Sequence, residues 1–209
     1  MNSSWATENL QVIRTLMERA AIYRRALAPV MLALGVIGTV AALAGIFLGL
    51  NQPLSFLLFW LVIAVCALVA AFLLVRRQAL KAAEPFWTPP ARRVVQAILP
   101  PLAAGLLFTI GPMRFWGGNT LFITWVLPMW MLCYGCALHA AGTFMPRGMK
   151  LFGWVFIVAA AILLGFLATT GRQEMPIPAA HAVMGATFGL LQLAYGVYLH
   201  FTEKRDDAA

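Results

Sequence analysis

Cys133, Cys136 and His139 stand within seven residues of one another, a Cys-x-x-Cys with a histidine three positions further on. Two thiols and an imidazole at such spacing could bind zinc or haem, or form a redox pair. At about 100° per residue the two cysteines fall roughly 60° apart on a helix, with His139 roughly 60° beyond Cys136. Zinc would need a further ligand and thiolates stabilised in an apolar run, and the sequence offers no fourth donor. The three residues are therefore weak metal candidates. Ordinary packing of small side chains on a helix-facing stripe accounts for them more simply. No cofactor is expected.

A second set of residues is polar and uncharged. Gln96, Tyr134, Gln192 and Tyr195 all fall toward the same end of long apolar runs. An amide in hydrocarbon is costly unless it is hydrogen-bonded, so Gln96 and Gln192 should each have a partner. If the four side chains converge, they enclose a neutral ligand pocket. If they do not, each Gln bonds a neighbouring backbone carbonyl. In the last apolar run His181, Gly185, Gly189, Gln192 and Gly196 share an arc of about 80° around a helix. Gly185, Gly189 and Gly196 are expected to form a helix-packing surface, while His181 and Gln192 could line a polar cavity. Packing is the preferred reading, and the two are compatible.

Other catalytic signatures are missing. The sequence has no paired carboxylates, no glycine-rich phosphate loop, no His-Glu-x-x-His and no serine nucleophile with a base. Its acids, Glu8, Glu18, Glu84, Glu174, Glu203, Asp206 and Asp207, all lie outside the apolar runs. A non-enzymatic role is expected.

The elements that must carry these residues follow from composition. Of 209 residues, 62% are hydrophobic and 11% are charged, and the mean hydropathy is +0.85. A soluble domain has about 45–50% apolar and about 25% charged residues, so a water-soluble fold is excluded, as is disorder. A spanning helix needs about 20 mostly apolar residues. Six such runs are present: Ala26–Leu50, Leu54–Val75, Val94–Ile110, Leu121–Ala141, Leu151–Thr170 and His181–Phe201. The third is the shortest, and Thr88-Pro89-Pro90 offers it a capping residue with prolines in the first turn, so that helix should begin in the headgroups. The expected fold is all-α: a polytopic membrane protein of six spans, compatible with three helical hairpins in series. Pro100 and Pro101 in the third run and Pro128 in the fourth should kink their helices. Broken helices can mark transport sites, but they are also tolerated as simple kinks.

Orientation follows from the basic residues. Thirteen of the fifteen fall in the N-terminal segment, the second and fourth connections, and the tail; only Arg114 and Arg172 fall on the other side. The positive-inside rule then puts both termini in the cytoplasm. This placement also explains the net charge of +8 and the pI near 10.1 without a nucleic-acid partner. Residues 1–25 read as a cytoplasmic amphipathic helix with Leu10, Ile13, Met17 and Ala20 on one side. Residues 26–201 form the membrane domain and 202–209 a cytoplasmic tail. Ala42-Leu43-Ala44 looks like a signal-peptidase site, but the apolar run continues to Leu50, so a retained helix is expected. Cys66, Cys133 and Cys136 all sit in apolar runs and imply no disulfide framework.

Several short segments carry a likeness. Ile13-Arg14 with Met17-Glu18-Arg19, Glu84-Pro85-Phe86-Trp87, Trp130-Met131 with Tyr134-Gly135, and Met184-Gly185-Ala186-Thr187-Phe188-Gly189 resemble a family of small six-span bacterial inner-membrane proteins without assigned function. The resemblance covers most of the chain. It implies a multi-pass bundle in a bacterial inner membrane and says nothing of chemistry. The expected role is a binding or regulatory component for a small apolar ligand, a lipid or a protein. The expected partners are the bilayer, a protein at the cytoplasmic face and a second copy of the chain. A transporter for a neutral or lipidic substrate is the first alternative. A membrane enzyme using Cys133, Cys136 and His139 is the second.

Overall fold

The structure is a computed structural model, described here for residues 27–81, 87–116, 118–145, 147–170 and 174–206. These residues form helices and their connections, and no strand. Helix α1 spans Leu27–Phe47. It is followed by α2 (Pro53–Lys81), α3 (Pro89–Trp116), α4 (Thr120–Ala141) and α5 (Arg147–Thr170). Helix α6 is continuous but changes character twice. Ile177–Met184 is α-helical, Gly185–Leu191 is π-helical, and Gln192–Asp206 is α-helical again. All six are long and apolar enough to cross a membrane. The proposed amphipathic helix of residues 1–25 lies outside the described residues.

Local chemistry explains the helix ends. Gly49 takes φ +64, a left-handed conformation that suits glycine. Around it Leu50 N donates to Gly45 O and Gly49 N to Ile46 O, both at 3.1 Å, which satisfies two of the last carbonyls of α1. Helix α2 then opens on Pro53, whose missing N–H costs nothing in a first turn. At α3, Thr88 Oγ1 accepts from Ala91 N at 3.4 Å. At α4, Asn119 Oδ1 accepts from Leu121 N at 2.8 Å.

Several boundaries depart from the expected runs. Helix α3 covers Pro89–Trp116 rather than stopping at Ile110, running on through an internal Pro112. Helix α2 continues past Val75 to Lys81, carrying Arg76 and Arg77 on exposed helical positions. Helix α6 begins at Ile177, four residues before His181, since Pro176 and Pro178 suit a helix start. It then runs to Asp206, so most of the expected tail is helical.

Helix α4 is the hub. It is the most buried helix and packs most extensively on α5 and next on α3. Among α2 to α6 the closest pairing therefore crosses the α4–α5 connection. Two apolar clusters fill the bundle. One joins Ala41 and Ala42 of α1, Phe56 and Trp60 of α2, Ile123 and Leu127 of α4, and Ala180 and Met184 of α6. The other, toward the basic end, joins Met31, Met131, Met149, Phe156 and Leu199. Helix α2 takes part only through its first turns, where Phe56, Leu57 and Trp60 are buried. Beyond them Val62, Val65, Leu68 and Leu73 face outward. Leu107, Ile162 and Leu190 are likewise exposed on other helices. Such an apolar exterior is an aggregation hazard in water and the normal lipid-facing surface in a bilayer.

Candidate functional site

Helices α1 and α6 run antiparallel along a seam of glycines. A Cβ on Gly189 would lie 2.7 Å from Thr39 N, one on Gly196 2.8 Å from Leu32 N, and one on Gly185 2.5 Å from the Ala42 Cβ. Gly35 faces Leu193 in return, and Gly38 faces the Phe188 carbonyl. Backbone contact at this range is open only to glycine, as in small-xxx-small helix pairs. Gly185, Gly189 and Gly196 thus all abut α1.

His181 lies at the end of this seam and is completely buried. Gly45 makes room for it, since any Cβ there would overlap the imidazole. Its Nδ1 accepts from Trp60 Nε1 at 3.1 Å, and its Nε2 lies 3.3 Å from Leu50 O. These partners fit a neutral ring with the proton on Nε2. Phe56 and Phe59 meet it edge-on at 4.8 and 5.9 Å. The helix-ending turn at Gly49 is what aims the Leu50 carbonyl at the ring. With both nitrogens occupied by protein, His181 ties α6 to α2 and to the turn that follows α1. Trp60 gives no sign of this role in the sequence, because its partner is 121 residues away.

Gln192 is different. It follows the π-helical stretch, where its own N–H returns to Gly189 O. A regular helical wheel does not carry across a π segment, yet all five residues of the predicted stripe stay buried. The glycines turn to α1, while the Gln192 side chain reaches α4, where Nε2 donates to the Tyr134 hydroxyl at 2.8 Å. Only 3% of Gln192 is exposed, and its Oε1 has no hydrogen-bond partner among the described residues. Tyr134 is walled by Phe156 of α5 at 4.9 Å and Phe188 of α6 at 5.2 Å, edge-on in both cases. The phenol oxygen accepts one bond and keeps a proton to donate. A buried acceptor and a donor are thereby offered side by side within an aromatic wall.

The predicted four-residue pocket does not assemble as expected. Tyr134 and Gln192 meet. Tyr195 belongs to the same aromatic cluster, stacked on Phe152 at 4.1 Å, but its hydroxyl lies beside Gly148 at the start of α5. Gln96 is exposed on α3 and does not join them. The reason is rotational: Ala91, Val94, Gly105 and Thr109 are the buried positions of this helix among the described side chains, and Gln96 falls on another face. Phe156 and Phe188, which complete the wall, are indistinguishable in sequence from other apolar residues.

The Cys-x-x-Cys and its histidine also separate. Cys133 faces α3, where a Cβ on Gly105 would lie 3.2 Å from its own Cβ. Cys136 is exposed. His139 turns to α5, with its ring 5.6 Å from that of Trp154 and Nδ1 buried and unpaired among the described residues. No group of three or more His, Cys, Asp or Glu that could hold a metal ion occurs among the described residues. A polar tie of a simpler kind joins α3 to α4, where Trp130 Nε1 donates to Thr109 Oγ1 at 2.7 Å.

Six membrane-length helices with an apolar exterior define the class: a multi-pass α-helical membrane protein. None of the known family models, curated proteins or solved structures matches the chain.

Proposed function

We propose that the chain is a multi-pass protein of a bacterial inner membrane, with both termini in the cytoplasm, serving as a binding component for a small neutral ligand held between α4, α5 and α6. The asymmetry of the basic residues supports the orientation. One observation carries the binding reading: the Gln192 Oε1 is buried without a partner among the described residues, beside a phenol that still has a proton to give. Leaving such an acceptor unmade costs about 1–3 kcal/mol. A molecule with a hydroxyl or amide N–H on an apolar body would satisfy it and accept from Tyr134.

The test is native mass spectrometry of the protein purified in mild detergent, with extraction of what it retains. The wild type should carry a small neutral molecule that Gln192→Leu loses and the lipid-facing Leu190→Ala keeps. A wild type that carries nothing would refute the binding reading.

A transporter for a neutral or lipidic substrate is the second reading. It is favoured by Pro100, Pro101 and Pro112 within α3, Pro128 within α4 and the π-helical stretch of α6. Saturable uptake of the retained molecule into liposomes would select it.

A further inference from the structure

The end of α2 and the start of α3 concentrate positive charge. Arg76, Arg77 and Lys81 on α2, and Arg92 and Arg93 on α3, are all exposed. The sequence between Pro53 and Arg93 holds a single acid, Glu84. Arg77 and Lys81 are four residues apart and share a helical face, so their charges reinforce each other.

Directly beneath this charge the surface is apolar. Leu68, Val69, Phe72 and Leu73 on α2 and Val95 and Leu99 on α3 are exposed within about two turns of the basic residues. Although consecutive, the two helices share little packing among the described residues, because α3 lies against α4 while α2 touches the core only through its far end. Trp87, in their connection, is 58% exposed, and tryptophan is a residue type that favours the membrane interface.

The first turn of α3 sharpens the picture. A helix start usually offers free N–H groups to an anion. Here Pro89 and Pro90 lack them, Ala91 N is turned to Thr88 Oγ1, and Arg92 N is turned to Thr88 O. Recognition of an anion at this place falls to the guanidinium and ammonium groups.

We propose that the α2–α3 end is a binding site for an anionic phospholipid, its phosphate headgroup drawn by the combined positive charge of Arg76, Arg77, Lys81, Arg92 and Arg93 and its acyl chains lying along the exposed apolar sides of α2 and α3. Charge complementarity selects this occupant over a zwitterionic lipid, and the apolar surface below the charges selects a lipid over a free phosphate. Each Lys or Arg at an anionic surface is worth roughly a five-fold preference.

The experiment titrates phosphatidylglycerol and phosphatidylethanolamine of equal chain length into the detergent-purified full chain, with retention read by native mass spectrometry. Phosphatidylglycerol should be preferred by roughly ten-fold or more. Replacing all five basic residues by Gln should remove that preference, whereas Arg114→Gln, at the other end of α3, should leave it intact. Should the five-fold variant not fold, salt serves on the wild type. Raising it from about 0.05 to about 1 M shortens the screening length to about 3 Å and should release phosphatidylglycerol while sparing phosphatidylethanolamine. Equal retention of the two lipids, retention insensitive to salt, or displacement of phosphatidylglycerol by glycerol phosphate would each overturn the proposal. The first two results would point to a purely apolar contact, the third to a free-phosphate site.

Discussion

The Trp60 indole donates to His181 Nδ1 at 3.1 Å, and this bond fastens α2 to α6 at the only end of α2 that enters the core. The same imidazole reaches the Leu50 carbonyl just past α1. Trp60→Phe keeps an aromatic side chain but strands a buried acceptor, so it should lower stability by about 1–3 kcal/mol. Gly45→Ala should cost more, because the added methyl overlaps the ring itself. Thermal unfolding in detergent checks both. A Trp60→Phe variant as stable as the wild type would show that the bond contributes nothing.

Gln192 and Tyr134 should show an asymmetry. Tyr134→Phe leaves both ends of a buried amide without partners, whereas Gln192→Leu removes the amide and its unpaired oxygen together. Tyr134→Phe is therefore the more destabilising single change, and adding Gln192→Leu to it should recover stability. Interhelical hydrogen bonds in membranes average about 0.6 kcal/mol, so the Gln192→Leu effect should be small. A double-mutant cycle on unfolding in detergent measures the coupling.

The glycines sort by what surrounds them. Gly189→Ala places a methyl 2.7 Å from the Thr39 nitrogen, while Gly111 and Gly165 have nothing among the described residues within 4 Å of such a methyl. Gly189→Ala should cut the yield of folded protein. Gly111→Ala and Gly165→Ala should be neutral or gain up to about 1 kcal/mol from helix propensity. Gly189→Leu should likewise be worse than Ala194→Leu, whose site is exposed. Equal yields across the set would remove the α1–α6 seam.

Topology is open to direct measurement. Reporter fusions after Asn51, Gly118 and Glu174 should read periplasmic, and those after Lys81, Arg147 and Asp207 cytoplasmic. A cytoplasmic signal at Gly118 would contradict an even number of spans with the basic connections inside.

Read alone, the sequence determined the number of spans and their approximate limits. In hydrocarbon every backbone group must bond within its own helix, so a long apolar run can be read as a helix with no knowledge of its neighbours. The glycine spacing of α6 was legible for a similar reason, since close approach needs glycine whatever lies opposite. Helix ends were less legible. Proline-rich starts extended α3 and α6 beyond their apolar cores, and α3 ran on past Pro112 to Trp116. Partnership was invisible, because it depends on the rotation and adjacency of helices far apart in the chain. Tertiary structure alone put Gln192 against Tyr134, 58 residues away, and turned Gln96 outward. It likewise gave His181 to Trp60 and sent Cys133, Cys136 and His139 to different surroundings on one helix. Between apolar faces of similar composition, only shape and a few buried polar groups decide which pair meets, and shape is not written in residue type.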